Sequence, residues 1–302
     1  MSTVHNICKA LTNKGLSPSS VNEYSRRINK FIKIVGLEDQ DILKKILESP
    51  DKYATLINKS ISNIKTRKNM YAVILTIFKY MSDELTDADA ESINKWKNNF
   101  KACDDILTKE VESNKPTIRQ QDNHVTFQDI ITARDNLQKG SIEKLLLCMY
   151  TMIPPMRSDY GCISIIKSGD EQETNNFLLI EKNKYVLCVT KYKTSKFFGD
   201  LIQELPKELV AEIKASLISY PRNYLFSKKN GLPYDNIQFN AWVNRTLKHI
   251  FNKPVTINTI RHSYISSIDM NNISIEDRKD IARRMGHNWI QQEKYKLIFD
   301  ST

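Results

Sequence analysis

Hydrophobic spacing is the feature of this sequence that most limits its fold. Apolar residues recur at helical spacing over most of the 302 residues, and they change to strand spacing between Asn176 and Leu205. A period of 3.6 residues buries one side of a helix, whereas alternation buries one face of a strand. The sequence therefore predicts a mainly α protein whose C-terminal part carries a small antiparallel β-sheet.

A polar break divides the chain into two predicted domains. The segment 113–124 contains a proline and shows no apolar period, which is typical of a linker. We predict an all-α N-terminal domain over residues 1–112 and a second domain over residues 125–302. A chain of 302 residues is long enough to build two separate cores.

Capping residues mark several element boundaries. Ser17 and Pro18 suit the start of a helix and Gly36 suits its end. Further helices of the first domain are predicted over Asp41–Glu48, Asp51–Ile61, Ser62–Met81 and Asp87–Val111. The second domain is predicted to hold strands at Phe177–Ile180, Tyr185–Val189 and Leu201–Leu205. Its later helices are predicted over Lys207–Ser219, Asn236–Phe251, Thr259–Met270, Ile275–Met285 and about Ile290–Phe299.

The charge of the chain favours a polyanionic partner. It carries 45 Lys and Arg against 35 Asp and Glu, a net charge of +10. Nucleic acid or an acidic membrane surface would attract such a chain, and a merely soluble basic protein remains open. Five scattered cysteines without a C-x-x-C pair indicate reduced thiols of an intracellular protein. No apolar run is long enough to span a bilayer, and no secretory signal is present.

Five separate motifs hold side chains suited to attack on a DNA phosphate without a metal. They contribute Arg157 in Pro154–Tyr160, Lys193 in Lys191–Lys196, Arg261 in Asn258–Ser263, His287 after Gly286, and Tyr295. Arginine holds two phosphate oxygens at once, and a phenolate is a competent nucleophile. A lysine or histidine can protonate the leaving oxygen.

In this order, the motifs resemble those of the tyrosine recombinase and integrase family, over essentially the whole chain. The resemblance implies a site-specific recombinase or integrase that cleaves and rejoins DNA through a 3′-phosphotyrosine intermediate, with no metal and no cofactor. It implies a helical core-binding domain before the catalytic domain, double-stranded DNA as partner, and a homotetramer on paired DNA sites. The Pro-Pro-x-Arg form is similar to integrases of large DNA viruses and mobile elements. An intracellular location with access to DNA, in cytoplasm or nucleus or with a virus, would follow.

The resemblance assigns roles to individual residues. Arg157 and Arg261 would clamp the phosphate and Tyr295 would attack it, whereas Tyr160 and Tyr264 are less suitable because each sits within an arginine motif. His287 and Lys193 would carry the acid–base work, although Lys191 and Lys196 lie close enough to replace Lys193.

Three further residues complete the predicted site. Asn258 stands where the family pattern most often has histidine or lysine. It can donate a hydrogen bond but cannot transfer a proton near neutral pH. Asp159 and His262 would orient the catalytic groups.

Basic side chains are expected to contact DNA phosphates without reading sequence. The predicted set is Lys65, Arg67, Lys68, Arg26, Arg27 and Lys196.

Two other functions fit the same motifs. A type IB topoisomerase uses similar residues to relax supercoils as a monomer. A DNA-binding relative that has lost cleavage is suggested by Asn258 alone.

Overall fold

The described residues form two compact units. A computed structural model of the protein describes residues 3–38, 42–80, 85–167, 176–182, 184–270 and 272–299. Unit 1 covers Met1–Ser113 and unit 2 covers Asn114–Thr302. Asp41 and Met81, predicted helix ends, lie outside the described residues. Within the described part of the chain, no helix combines the length and apolar character that crossing a membrane requires.

Unit 1 is helical throughout its described part. Its helices are α1 (Thr3–Asn13), α2 (Pro18–Val35), α3 (Ile42–Glu48), α4 (Pro50–Ser60), α5 (Ile64–Tyr80) and α6 (Ala90–Glu112). Their apolar faces share one core, in which Phe31, Ile74 and Trp96 are fully buried. The indole N–H of Trp96 donates to the carbonyl of Ile46 at 2.9 Å, which satisfies the polar end of the ring inside the core.

The boundaries predicted for α2 are confirmed. The hydroxyl of Ser17 accepts from the N–H of Ser20 at 3.3 Å, and Pro18 occupies the first helical turn. Gly36 ends the helix with φ +65°, a conformation that costs glycine little because it has no Cβ. Local capping chemistry therefore fixes both ends of this helix.

Unit 2 is mostly α with one sheet. Its elements are α7 (Ile118–Asp122), α8 (Phe127–Asn136), α9 (Ile142–Thr151), a 3₁₀ helix (Ser158–Cys162), β1 (Ser164–Lys167), β2 (Asn176–Ile180), β3 (Tyr185–Val189), α10 (Ser195–Phe198), β4 (Leu201–Glu204), α11 (Lys207–Ser219), α12 (Asn236–Phe251), α13 (Ile257–Ser267), α14 (Ile275–Arg284) and α15 (Trp289–Glu293). Helix α9 is buried over six consecutive residues and forms the centre of the main core.

The sheet confirms the three predicted strands and adds a fourth. β2 pairs antiparallel with β3, and β3 pairs antiparallel with β4. The unpredicted strand β1 lies parallel to β2, with Ser164 opposite Phe177, so the sheet is mixed. The lysine motif follows β3 and leads through the single turn of α10 to β4.

The last predicted helix is shorter than expected. Helix α15 ends at Glu293, and Tyr295 follows in a turn instead of lying on a helix over Ile290–Phe299. The chain beyond it is held by other elements, because the N–H of Leu297 donates to Ser266 Oγ at 2.9 Å and that of Ile298 to the carbonyl of Asn114 at 2.9 Å. These two hydrogen bonds take the place of the backbone bonds that a continued helix would form.

The segment predicted as a linker contains the short helix α7. A capping box starts this helix, since Gln120 N–H donates to Thr117 Oγ1 at 3.3 Å and Thr117 N–H donates to Gln120 Oε1 at 2.9 Å. The end of the segment is fixed to unit 2, where Lys253 Nζ donates to the carbonyl of His124 at 2.7 Å.

Candidate active site

Arg261 lies fully buried on helix α13. Helix α13 begins at a capping box formed by Thr256 and Thr259, and Arg261 lies on its buried face beside Ile257 and Ile260. Its Nη1 donates to the carbonyls of Pro155 and Met285. Because these acceptors belong to the first arginine motif and to the Gly-His motif, one guanidinium joins three distant segments.

His287 is the next group in this network. It is 3% exposed, and its Nδ1 lies 3.0 Å from Arg261 Nη2. A guanidinium can only donate, so Nδ1 accepts and the ring proton lies on Nε2. Burial, followed by the charges of Arg261 and Arg157, lowers the pKa of His287 to about 3. The imidazole is therefore neutral near pH 7.

The carbonyl of Gly286 joins Arg157 to the lysine motif. Arg157 Nη1 donates to this oxygen at 3.0 Å, and Thr194 Oγ1 donates to the same oxygen at 2.7 Å. Gly286 has φ +70°, and a Cβ there would lie 3.4 Å from the Tyr192 ring. The positive φ favours glycine at this turn, whereas a Cβ at 3.4 Å would make only an ordinary van der Waals contact.

The candidate lysines are all exposed. Lys193 lies between two anchored neighbours, because the hydroxyl of Tyr192 donates to the carbonyl of Gly199 at 2.8 Å and Thr194 bonds to Gly286. Lys191 and Lys196 flank this anchored pair.

Tyr295 packs directly on the arginine and both histidines. Its ring centroid lies 4.8 Å from Arg261 Cζ, 5.2 Å from the ring of His287 and 4.8 Å from the ring of His262. His262 Nδ1 lies 2.7 Å from the carbonyl of Tyr295, an acceptor, so this nitrogen donates and fixes the backbone. The phenol of Tyr295 therefore lies against the Arg261 motif and the His287 motif of its own chain.

Two buried donors in the cluster lack partners. Arg261 Nε and His287 Nε2 form no hydrogen bond with any described residue. Leaving a buried donor unpaired costs about 1–3 kcal/mol, more for a charged group. Two unpaired donors and a guanidinium charge in one buried cluster make the arrangement suitable for an anionic ligand.

Asp159 and Asn258 lie at the edges of this cluster. Asp159 is 7% exposed on the 3₁₀ helix, and burial raises its pKa against the opposing effects of Arg157 and Arg261. Asn258 is exposed in the first turn of α13. It lines a cavity on that side together with His262.

The other two tyrosines near the arginine motifs are poorer nucleophiles. Tyr160 is fully buried, and burial raises its pKa above the usual value. Burial also raises the pKa of Tyr264 to about 12. Both phenols are harder to ionise, and Tyr264 packs edge-on against Phe127 at a centroid distance of 5.3 Å.

Most of the basic residues singled out in unit 1 have partners within that unit. Arg26 and Arg27 both bind Glu23, at 2.9 and 2.7 Å. Lys68 pairs with Asp104. Contacts of these side chains with DNA stay a prediction.

Arg67 and Lys65, also in unit 1, differ in how available their side chains are to an external ligand. Arg67 donates to Asn58 Oδ1 at 3.4 Å and to the carbonyl of Ser62 at 3.3 Å. Lys65 is exposed. Of the two, Lys65 is therefore the more available to an external phosphate.

Sequence reasoning missed Thr194 and the Gly286 carbonyl. The carbonyl belongs to the backbone and has no sequence signature. Thr194 lies inside a motif chosen for its lysines, and its role depends on a contact 92 residues away along the chain.

Neither the protein-family models nor the curated proteins searched include a match to this sequence. Solved structures do match it over nearly its full length. A lambda integrase dimer bound to a COC′ core site is 13% identical, with TM-score 0.62, covering 100% of this chain and 99% of that chain.

Two further structures agree with that match. The Tn1549 transposon integrase in complex with circular intermediate DNA has TM-score 0.60 at 13% identity, covering 99% of this chain and 96% of that chain. The XerH recombinase bound to a palindromic difH substrate has TM-score 0.57 at 15% identity, covering 95% and 78%. The chain therefore has the fold of tyrosine recombinases and integrases.

Proposed function

We propose that this protein is a site-specific DNA recombinase or integrase that cleaves and rejoins strands through a 3′-phosphotyrosine at Tyr295. The observation that carries the proposal is the convergence of Arg157, Arg261, His287 and Tyr295. They come from three distant segments and are joined by the 3.0 Å contacts at Gly286 and His287 and the 4.8 Å contact of Arg261 with the phenol ring. The fold shared with solved recombinases supports it.

The two arginines and His287 would bind the scissile phosphate. Negative charge grows on the non-bridging oxygens during attack, and fixed donors aimed at them stabilise the transition state. Arg261 Nε and His287 Nε2–H are two buried donors that form no hydrogen bond within the described part of the chain. With a pKa of about 3, His287 acts as a neutral hydrogen-bond donor, which leaves proton donation to Lys193.

Strand cleavage would conserve the energy of the broken bond. The Tyr295 oxygen forms a bond to phosphorus and gives its proton to solvent water, the bond from phosphorus to the 5′-oxygen breaks, and that oxygen takes a proton from Lys193. The 5′-hydroxyl of a second strand then attacks the phosphotyrosine and gives its proton to Lys193, and the released Tyr295 oxygen takes a proton from water. Neither a metal nor a nucleotide cofactor is needed for these steps.

Access to Arg261 requires movement of Tyr295. Arg261 is fully buried, and the phenol ring covers its guanidinium at 4.8 Å. A phosphate can reach the unpartnered donors once the ring turns aside. Tyr295 lies in a turn two residues beyond the five-residue helix α15, so the proposed movement would begin outside the long helices of unit 2.

Double-stranded DNA is the proposed partner, and a homotetramer on paired sites is the proposed assembly. The related fold of lambda integrase occurs as a tetramer bound to a Holliday junction, at TM-score 0.62. Unit 1 would act as the core-binding domain and unit 2 as the catalytic domain. The protein would work in whichever compartment holds its DNA.

The first test is covalent trapping on a nicked suicide duplex. We expect the wild-type protein to form an adduct resistant to denaturation, and Tyr295→Phe to bind DNA without forming one. The matched control is Tyr220→Phe, because Tyr220 is 53% exposed and outside the cluster. A normal adduct yield from Tyr295→Phe would remove Tyr295 from the proposed role.

A two-site recombination assay beside a supercoil relaxation assay separates recombinase from topoisomerase. Recombinant products from two sites support the proposal. Relaxation without recombinants would favour the topoisomerase, and absence of any adduct would favour a DNA-binding relative that no longer cleaves.

A further inference from the structure

A polar cavity lies beside the candidate active site, within unit 2. It has a volume of about 200 Å³ and opens between helix α7 and the start of helix α13. Several water molecules would fit in this volume, since one water occupies about 30 Å³ in the liquid. The cavity therefore has room for a small polar group.

The side chains around the cavity suit an anion. Its described lining includes Arg119, His124 and His262, two amides from Gln120 and Asn123, and no carboxylate. Burial lowers the pKa values of His124 and His262, so both rings are neutral near pH 7. The single N–H of neutral His262 already donates to the carbonyl of Tyr295, which leaves His124 as the ring that can offer an N–H to the cavity. Positive charge in the lining comes from Arg119, whose side chain is exposed.

The beginning of helix α13 also lines this cavity. Thr256, Asn258 and Thr259, at the beginning of the helix, all line it. The side chain of Thr256 caps the N–H of Thr259 at 3.1 Å, whereas the first-turn N–H groups of Ile257 and Asn258 have no intrahelical acceptor. Residues with donor groups therefore line one space from two segments, 117–124 and 256–262.

His262 joins the cavity to the reacting tyrosine. It lines the cavity and also donates to the carbonyl of Tyr295 at 2.7 Å, with its ring 4.8 Å from the phenol ring. Leu297, two residues after Tyr295, lines the cavity as well. An anion held here would lie next to the nucleophile, on the side of His262.

We propose that this cavity binds a phosphate of the DNA backbone adjacent to the scissile one, with Arg119 as the charged ligand and His124 and Asn258 as neutral donors. The proposal rests on the proposed function, because DNA supplies regularly spaced phosphates. Its effect would be to fix the scissile phosphate in register with Tyr295. Arg119 and His124 thereby become substrate-binding residues of a segment that the sequence marked as a linker.

Salt dependence tests the cavity without requiring cleavage. We expect Arg119→Gln to lower the slope of log affinity against log salt by about 0.9 on a mixed-sequence duplex, the value for one phosphate contact. Lys139→Gln removes an equal charge from an exposed side chain outside the cavity and should leave the slope unchanged. Equal slopes for wild type and Arg119→Gln would overturn the proposal.

A methylphosphonate scan tests the position of the contact. On a duplex that forms the adduct, neutralising one phosphate beside the scissile one should weaken wild-type binding about tenfold, as expected for a hydrogen bond to a charged group. Arg119→Gln should abolish that penalty at one position, and Lys139→Gln should keep it.

If an adduct forms but no position responds to Arg119→Gln, the cavity proposal fails and the proposed function stands. If no adduct forms, the proposed function fails and the salt slope alone decides on the cavity.

Discussion

Arg261 forms no salt bridge within the described part of the chain, although its charge acts on the buried carboxyl of Asp159. Its hydrogen-bond acceptors are two backbone carbonyls and the neutral ring of His287. Burying a charge without an ionic partner is costly, and proteins keep such groups where a ligand supplies the opposite charge. A phosphodiester would complete this site, which explains a buried cation beside two unpartnered donors.

The low pKa of His287 predicts acid sensitivity of the fold. Between pH 6.5 and about 3, the unfolded chain binds a proton that the folded protein excludes, so stability falls as the pH falls through this window. At pH 5 the loss is about 2 kcal/mol relative to pH 7.5, taking 6.5 as the unfolded pKa. We expect the His287→Gln variant to lack this pH-dependent loss of stability. The measurement is the free energy of unfolding by urea at pH 7.5 and at pH 5.

His262→Gln is the matched comparison for that experiment. Burial lowers the pKa of His262 as well, so it contributes with the same sign. A His287→Gln variant that loses as much stability between pH 7.5 and 5 as the wild type would contradict the buried neutral state assigned to His287.

At the scale of elements, the bond from Thr194 to Gly286 should hold the lysine loop at the active site. We expect Thr194→Val to slow single-turnover adduct formation roughly three- to tenfold, the usual worth of one hydrogen bond. The loop carrying Lys193 would lose its anchor, while Arg157 keeps its own bond to the same carbonyl. Rates are measured on the suicide duplex at saturating protein.

A conservative variant separates positioning from general damage. Thr194→Ser keeps the hydroxyl and should retain the wild-type rate. Adding Thr194→Val to Lys193→Ala should cause little further loss, because the anchored lysine is already absent. If the double variant instead loses the product of the two single-variant rate reductions, Thr194 does not act through Lys193.

Local chemistry explains which elements the sequence predicted well. The ends of α2 follow from the caps at Ser17 and Gly36, and the start of α12 follows from a capping box at Asp235. The length of α11, which has no side-chain cap, follows from apolar spacing within the segment. Strand β1 was missed because it has four residues and is completed by a parallel partner elsewhere in the chain. The end of α15 was missed because its successors bond to Ser266 and Asn114, which are distant in sequence.

The same distinction holds for the site. The order and spacing of the motifs singled out Arg157, Arg261, His287 and Tyr295, and these residues are now seen together. Their connections depend on tertiary contacts, above all the Gly286 carbonyl that receives both Arg157 and Thr194. A pattern of side chains cannot predict the position of such a backbone carbonyl. The cavity beside His262 likewise depends on the packing of α7 near α13.

At the scale of the whole molecule, each unit has a hydrophobic core of its own. One core lies within residues 1–113 around Trp96, and the main core of the second unit surrounds helix α9. Separate cores allow separate folding, since each unit buries its own apolar surface. The candidate catalytic residues all belong to the second unit, whereas most of the predicted phosphate contacts belong to the first.

This division predicts that residues 113–302 alone fold and react. The fragment should unfold cooperatively and form the Tyr295 adduct on the suicide duplex, but only at higher protein concentration, because the phosphate contacts of unit 1 are gone. Its salt slope should fall by about 0.9 for each contact removed.

A matched fragment, 125–302, lacks the Asn114 carbonyl that receives Ile298 N–H and the His124 ring that lies 3.9 Å from Phe299. Since these contacts hold the chain just after Tyr295, the shorter fragment should fold yet lose adduct formation. Equal adduct yields from both fragments would show that the segment 113–124 does not position the nucleophile.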